Sequence, residues 1–272
     1  MAIQNGIIKI NGQLGDLVFY KRGSKDVVRQ KVAHKQQTEA SKKSSRDFGT
    51  ASRNAAYIRK AFAPLVKLYA YGDLLNRLNK RFIEIFKTIP AEHAGDKRLI
   101  NGDITLLKGF EFNSSKPLGT LWLSETDLRI EPDGLVKLML PKGEIKNLLK
   151  PHPKATEARL QVMGFYFELD ANGDYEIIEV NDLVIPLSNS HFPKTILTLH
   201  LNHQGDKALI FAMGISFFTG AARYADRRYY AAKIIHALHL KDGLVVDFVG
   251  QPKVEREVVE QGNKLSWVVE EG

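Results

Sequence analysis

From Phe48 to Tyr69, apolar residues return at steps of 3, 4, 3, 4, 3 and 4: Phe48, Ala51, Ala55, Ile58, Phe62, Leu65 and Tyr69. From about residue 104 onward they return every second residue. No single secondary structure satisfies both periods. A helix gathers positions three and four apart on one face, and a strand gathers alternate positions. The chain must therefore join a helical segment to a β-rich one.

The helical seam lasts three heptads, and Arg46, Arg53, Lys60 and Lys67 recur every seven residues on the opposite face. Thr38 is the expected N-cap. Pro64 removes a backbone donor and crowds the carbonyl of Lys60, which predicts a kink or break near Phe62–Ala63. Asp73 caps a second helix, whose apolar positions are Leu75, Leu78, Phe82, Ile85 and Ile89, and Pro90 stops it. The short link "YAYGD" predicts a helical hairpin with facing seams. So short a seam favours a hairpin core over an oligomerising coiled coil.

The period-two segments are Val136, Leu138 and Leu140 after "EPDG"; Phe165, Phe167 and Leu169 into "DANGD", with Tyr175 and Ile177 beyond; Leu197, Leu199 and Leu201 into "NHQGD"; and Leu209 to Phe217 beyond it. Turn-bounded strands with one apolar face predict an antiparallel sandwich or barrel, and of the two an Ig-like sandwich is expected. Residues 221–240 are open between helix and strand, and the β-branched and aromatic residues, with the Asp-Gly turn into "LVVDFV", favour strand. "LSWVV" in the tail from Gln251 is expected to form a last edge strand.

The front of the chain, "NGIIKINGQLGDLVFYKRGSKDVVRQKV", reads as a β-meander. Its expected strands are Ile7–Ile10, Asp16–Tyr20 and Asp26–Val32, with turns at Asn11-Gly12 and Lys21–Lys25. So small a meander has little core of its own and must pack on something. It is also strongly basic. Residues 1–100 hold 20 Lys+Arg and 8 Asp+Glu, a net +12, whereas residues 101–272 hold 19 and 23, a net −4. Such an asymmetry points to an acidic partner: nucleic acid, an anionic surface, or the protein's own second part. The candidate partner-binding residues are Lys9, Phe19, Tyr20, Lys21, Arg22, Lys25, Arg29 and Lys31 around the meander, with Arg46, Arg53, Lys60 and Lys67 on the helix. Cations track phosphates and interleaved aromatics stack on bases, but no zinc-finger, RNP or KH pattern is present.

Motifs for chemistry are weak. The chain has no cysteine, which removes disulfides, thiolate nucleophiles and cysteine metal sites. On strands, His200 and His203 point to opposite faces, and His236 and His239 share a face only in a helix. "DANGDYE" has its glycine at the fourth position rather than the sixth of a calcium loop, and Asn181 where the bidentate Glu belongs. "GISFF" around Ser216 lacks the last glycine of a nucleophile elbow. No Gly-rich phosphate loop follows a strand. No run reaches the roughly 20 apolar residues of a membrane span, and no secretory signal is visible. The expectation is a cytoplasmic protein by default, without cofactor, metal or small-molecule substrate.

Gly12, Gly15, Val18, Tyr20, Val28 and Arg29, followed by Thr38, Phe48, Ala51 and Ser52, spell a G-x-x-G-x-x-V-x-Y hairpin, a V-R pair and a helix containing F-x-x-A-S. In these positions, about the first quarter, the chain resembles the opening of a bacterial protein family without an assigned activity. The resemblance implies a modular, non-enzymatic protein and carries over no catalytic residue.

The expected fold is thus α+β and mostly β: a basic β-meander and helical hairpin over 1–103, then an Ig-like antiparallel sandwich over 104–272. The expected function is that of a non-catalytic structural or interaction protein. Its partner is another protein or a second copy, and the alternative is a nucleic-acid-associated protein using the same basic module.

Overall fold

A computed structural model describes residues 2–6, 8–31, 37–131, 133–169, 175–179, 182–201 and 204–250. The chain groups into two compact units, Met1–Ser44 and Ser45–Gly272, rather than at residue 103. The physical reason is a core that the helices share with the large sheet.

The first unit is an antiparallel sheet of four strands, β1 (Ala2–Ile3), β2 (Gly12–Leu14), β3 (Leu17–Arg22) and β4 (Lys25–Gln30), in the order β1-β4-β3-β2. Two tight hairpins build it. Leu14 pairs with Leu17 across Gly15-Asp16, and Arg22 pairs with Lys25 across Gly23-Ser24. Gly15 (φ 56°) and Gly23 (φ 62°) supply the positive φ at the first central position that a type II′ turn demands. This corrects the expected meander. Ile8–Ile10 form no strand, Ile7 lies outside the described residues, and Asn11-Gly12 is not the turn. A two-residue loop at Gly15-Asp16 uses Gly12–Leu14 as its incoming strand, so the Asn-Gly pair cannot also close a hairpin. The edge strand β1 pairs Ala2 and Ile3 with Val28 and Val27 and is too short to carry a periodic signal.

In the second unit, α1 (Glu39–Ala61, which begins just before the boundary) is capped by Thr38, whose hydroxyl accepts from the Ser41 N–H at 3.2 Å. It ends where Pro64 requires. Phe62 is the N-cap of α2 (Ala63–Tyr69), and Pro64 occupies that helix's first turn. α3 (Leu74–Thr88) starts at Asp73, whose carboxylate accepts from the Asn76 N–H at 3.4 Å. The seam from Ala51 to Tyr69 is buried, with Leu78, Phe82 and Ile85 of α3. Two expected seam positions lie outside it: Phe48 is 56% exposed, one turn before the core begins at Ala51, and Leu75 is 49% exposed because the buried face of α3 starts at Leu74 and continues through Leu78, Phe82 and Ile85.

The strands that follow are β5 (Asp127–Ile130), β6 (Leu135–Leu140) and β7 (Gly143–Glu144), then a single turn, α4 (Ile145–Leu148). After it come β8 (Glu157–Glu168), β9 (Tyr175–Glu179), β10 (Leu183–Pro186), β11 (His191–Phe192), β12 (Thr195–His200), β13 (Asp206–Thr219), β14 (Ala222–Arg223), β15 (Tyr230–Lys241) and β16 (Leu244–Val246). A seven-stranded antiparallel sheet runs β10-β8-β13-β15-β16, with β9 on β8 and β14 on β13, and a three-stranded sheet runs β12-β6-β5. The strand reading of residues 221–240 agrees from Tyr230 onward. Asp242 (φ 49°) and Gly243 (φ 82°) close the β15–β16 hairpin with the two positive φ values of a type I′ turn. The expected turn "DANGD" and the tail strand "LSWVV" lie outside the described residues.

Strand β13 organises the unit, because it is buried on both faces. Leu209, Phe211, Met213, Ile215 and Phe217 join Val136, Leu138 and Leu140 of β6 in one core. Ala208, Ile210 and Ala212 join the helices, with Met163, Phe165, Ala232 and Ile234, in the other. The large sheet curls between a helical layer and the small sheet, so it is not a closed Ig-like sandwich. The small side chains of β13 explain the difference. Ala208, Ala212 and Gly214 leave room for helices on a face that pattern alone assigns to solvent.

Candidate interaction surface

The strand register decides which meander residues meet. Directly opposed residues share a face, and alternate residues along a strand change face. Tyr20 opposes Val27, Arg22 opposes Lys25, and Val18 opposes Arg29, so Tyr20, Arg22, Lys25 and Arg29 share one face. The Arg29 guanidinium lies 5.8 Å from the Tyr20 ring centre. Phe19 opposes Val28 and Lys21 opposes Asp26 on the other face, where Leu14 pairs with Leu17. Arg22 and Lys25 are like charges held directly opposite each other, an arrangement that costs stability unless a counter-charge is near.

Lys9 sits in the loop before β2, its ammonium on the Gln4 carbonyl, and Lys31 follows β4, its N–H donating to the Asp16 carbonyl at 2.6 Å. Arg46, Arg53 and Lys60 on α1 and Lys67 on α2 are all exposed and belong to the second unit. These four helix cations are each exposed, while the register divides the meander cations between two faces.

The apolar content of this small sheet is the unusual part. Among its described residues Val27 alone is buried, whereas Ile3, Leu14 and Leu17 are 53%, 65% and 44% exposed. Met1–Ser44 holds 9 Lys+Arg against 3 Asp+Glu. The surface is thus cationic and apolar together, and its backbone is set by two tight turns.

Sequence reasoning missed a second surface, on the larger unit. Arg227 places its guanidinium 4.7 Å from the Tyr71 ring centre and donates to the Tyr71 hydroxyl. Arg223 lies 5.2 Å from Tyr69 and 4.9 Å from Tyr230. Asn113, fully buried, fixes this corner through its amide N–H bonds to the carbonyls of Arg227 (3.1 Å) and Tyr230 (2.9 Å). The neighbouring Arg228 is committed to Asp226, whose carboxyl its hydrogen bonds pull down to about 2. The density of Arg and Tyr in "ARYADRRYY" was the available signal.

Groups that could do chemistry have structural partners. Ser190 Oγ and His191 Nδ1 are 2.9 Å apart at an exposed edge. The facing Glu144 carboxylate is occupied by Lys146 (3.1 Å) and Asn147 (3.0 Å), and the Lys146 hydrogen bond holds it below the usual carboxylate range. An open depression of about 530 Å³ beside it is lined by Lys146 and Lys150 together with Ile145, Leu149 and Leu187. Among the described residues, no three His, Asp or Glu side chains converge as metal ligands, and no helix is long and apolar enough to cross a membrane.

Because their segment is a strand, His236 and His239 separate. His239 Nε2 meets Asp206 at 2.9 Å, and His236 Nε2 meets the Thr126 hydroxyl at 2.9 Å. Burial, then the Lys108 charge, push His236 down to about 4, against smaller opposing effects of Thr126, Asp127 and Glu125. The native state holds this ring neutral and the unfolded chain protonates it near 6.5. Its share of stability is therefore full above pH 6.5 and is lost as pH falls from there towards 4. The expected loss is about 1–2 kcal/mol after allowing for solvent screening. Denaturant midpoints measured at steps between these pH values should fall less steeply for His236→Gln than for the parent.

No family model matches the chain, and no curated protein or solved structure matches it either.

Proposed function

We propose that this chain is a non-catalytic interaction protein that docks through its N-terminal sheet onto a protein partner in a larger assembly. One observation carries the reading: four strands that bury one residue, Val27, while Leu14 and Leu17 lie side by side and exposed. A sheet with so little core gains its stability on meeting an apolar surface. The surplus of cations sets the partner's sign as acidic.

The test is chemical cross-linking of the full chain in an extract of its native host. The expected result is one protein joined through Lys9, Lys21, Lys25 or Lys31 and lost on the double substitution Leu14→Asp, Leu17→Asp. Cross-links indifferent to that substitution would contradict the reading. A second reading, nucleic-acid association, is favoured by Tyr20, Arg22, Lys25 and Arg29 sharing one face. It requires labelled DNA or RNA oligomers to bind, with affinity falling by orders of magnitude between about 50 and 200 mM salt.

A further inference from the structure

We propose that the outer edge of β2 receives an extended strand from an acidic partner protein, with apolar side chains on one face of the added strand and carboxylates on the other. This rests on the docking function above and adds the place and the chemistry.

The edge has three properties. First, its backbone is directed outward. A two-residue loop closes on a hydrogen-bonded pair, here Leu14 and Leu17, and bonded pairs alternate with non-bonded ones along an antiparallel ladder. Gln13 opposes Val18 in the non-bonded position, so the Gln13 N–H and C=O point away from β3. Second, the edge is undefended. Exposed edges are normally blunted by Lys, Pro or inward charges. Here Asn11–Gly15 contains no charge and no proline, although β3 and β4 carry Lys21, Arg22, Lys25 and Arg29. All three residues of β2 are exposed. Third, the edge has room on one face and cations on the other. A Cβ built on Gly12 meets nothing within 4 Å, and Gly12 opposes Phe19. An apolar side chain opposite Gly12 therefore comes to rest beside Phe19, and one opposite Leu14 beside the Leu14–Leu17 pair. Residues between them turn to the face of Arg22, Lys25 and Arg29.

Charge decides between occupants. A second copy would bring together two units, each with 9 Lys+Arg against 3 Asp+Glu, so like charges oppose self-pairing. This is strand addition, with main-chain bonds for affinity and alternate side chains for specificity.

The probe is a fluorescein-labelled eight-residue peptide of alternating valine and glutamate, titrated by anisotropy against the full chain. Saturable binding is expected. It should weaken at least tenfold for a valine–lysine counterpart and at least tenfold for Gln13→Pro, which removes the outward N–H. Unchanged amide protection at Leu17 and Phe19 checks that Gln13→Pro keeps the β2–β3 ladder. Leu14→Lys, which guards the edge by charge, is a second variant with the same expected loss. No saturable binding, or equal binding by the parent and Gln13→Pro, overturns the proposal. So does a concentration-dependent dimer of the parent that Gln13→Pro abolishes, which would give the edge to a second copy. A host partner that is lost with Leu14→Asp, Leu17→Asp and kept with Gln13→Pro would overturn the edge alone and leave the docking function standing.

Discussion

Phe62→Ala is expected to cost about 3–5 kcal/mol of folding stability, the range for removing a buried aromatic ring. Phe62 is fully buried at the break between α1 and α2. Its ring stands edge-on to Phe112 and to Phe165 of β8, each 6.2 Å away between centres. The side chain thus ties the helical layer to the large sheet, and truncation removes apolar burial and leaves a cavity in the shared core. Denaturant unfolding followed by far-UV circular dichroism should show one transition moved to lower denaturant with an unchanged slope. A loss below about 1 kcal/mol, or a helical signal melting apart from the β signal, would mean that the layers do not share a core.

Gly214→Val is expected to cost about 3 kcal/mol, at the upper end of overpacking. A Cβ at Gly214 would lie 2.6 Å from Tyr69 Cε2 and 2.7 Å from Cζ. The tyrosine cannot swing away. It is 2% exposed, its hydroxyl is 3.5 Å from Ser216 Oγ, and it packs edge-on to Tyr230 beneath Arg223. The same desolvation raises its phenol pKa. Tyr69→Ala alone should also cost about 3–5 kcal/mol by the large-to-small rule for aromatics. The double variant should be less destabilised than the sum, because the cavity from one change accepts the methyls of the other. Strict additivity would show that Gly214 is not kept small by Tyr69.

Much of the local structure was legible because it rests on single residues with strong preferences. Pro64 broke the helix, Thr38 and Asp73 capped helices, and Asp242-Gly243 turned a hairpin. Layering was harder to read. The apolar run of β13 shows one strong face, and its second face sets Ile210 among Ala208, Ala212 and Gly214, small residues that a pattern reader scores as neutral. Only the helices packed there reveal it as core. In the meander, two turn signals four residues apart competed, and the tighter hairpin won. The site was legible as a set of cations but not as a surface, because faces depend on register, and register followed from which turn closed. Tyr71 and Arg227 are separated by 156 positions, so no local pattern joins them.

On the proposed docking role, the N-terminal sheet, whose four strands bury Val27 alone, completes its core on a partner. The most direct test is amide hydrogen exchange of the full chain, alone and in the cross-linked complex. Alone, amides of residues 12–30 should open at lower free energy than those of β8, β13 and β15, where both faces or one are buried. In the complex, protection over residues 12–30 should rise while the large sheet stays unchanged. Protection of residues 12–30 equal to that of β13 in the isolated chain, or unaltered in the complex, would contradict the account.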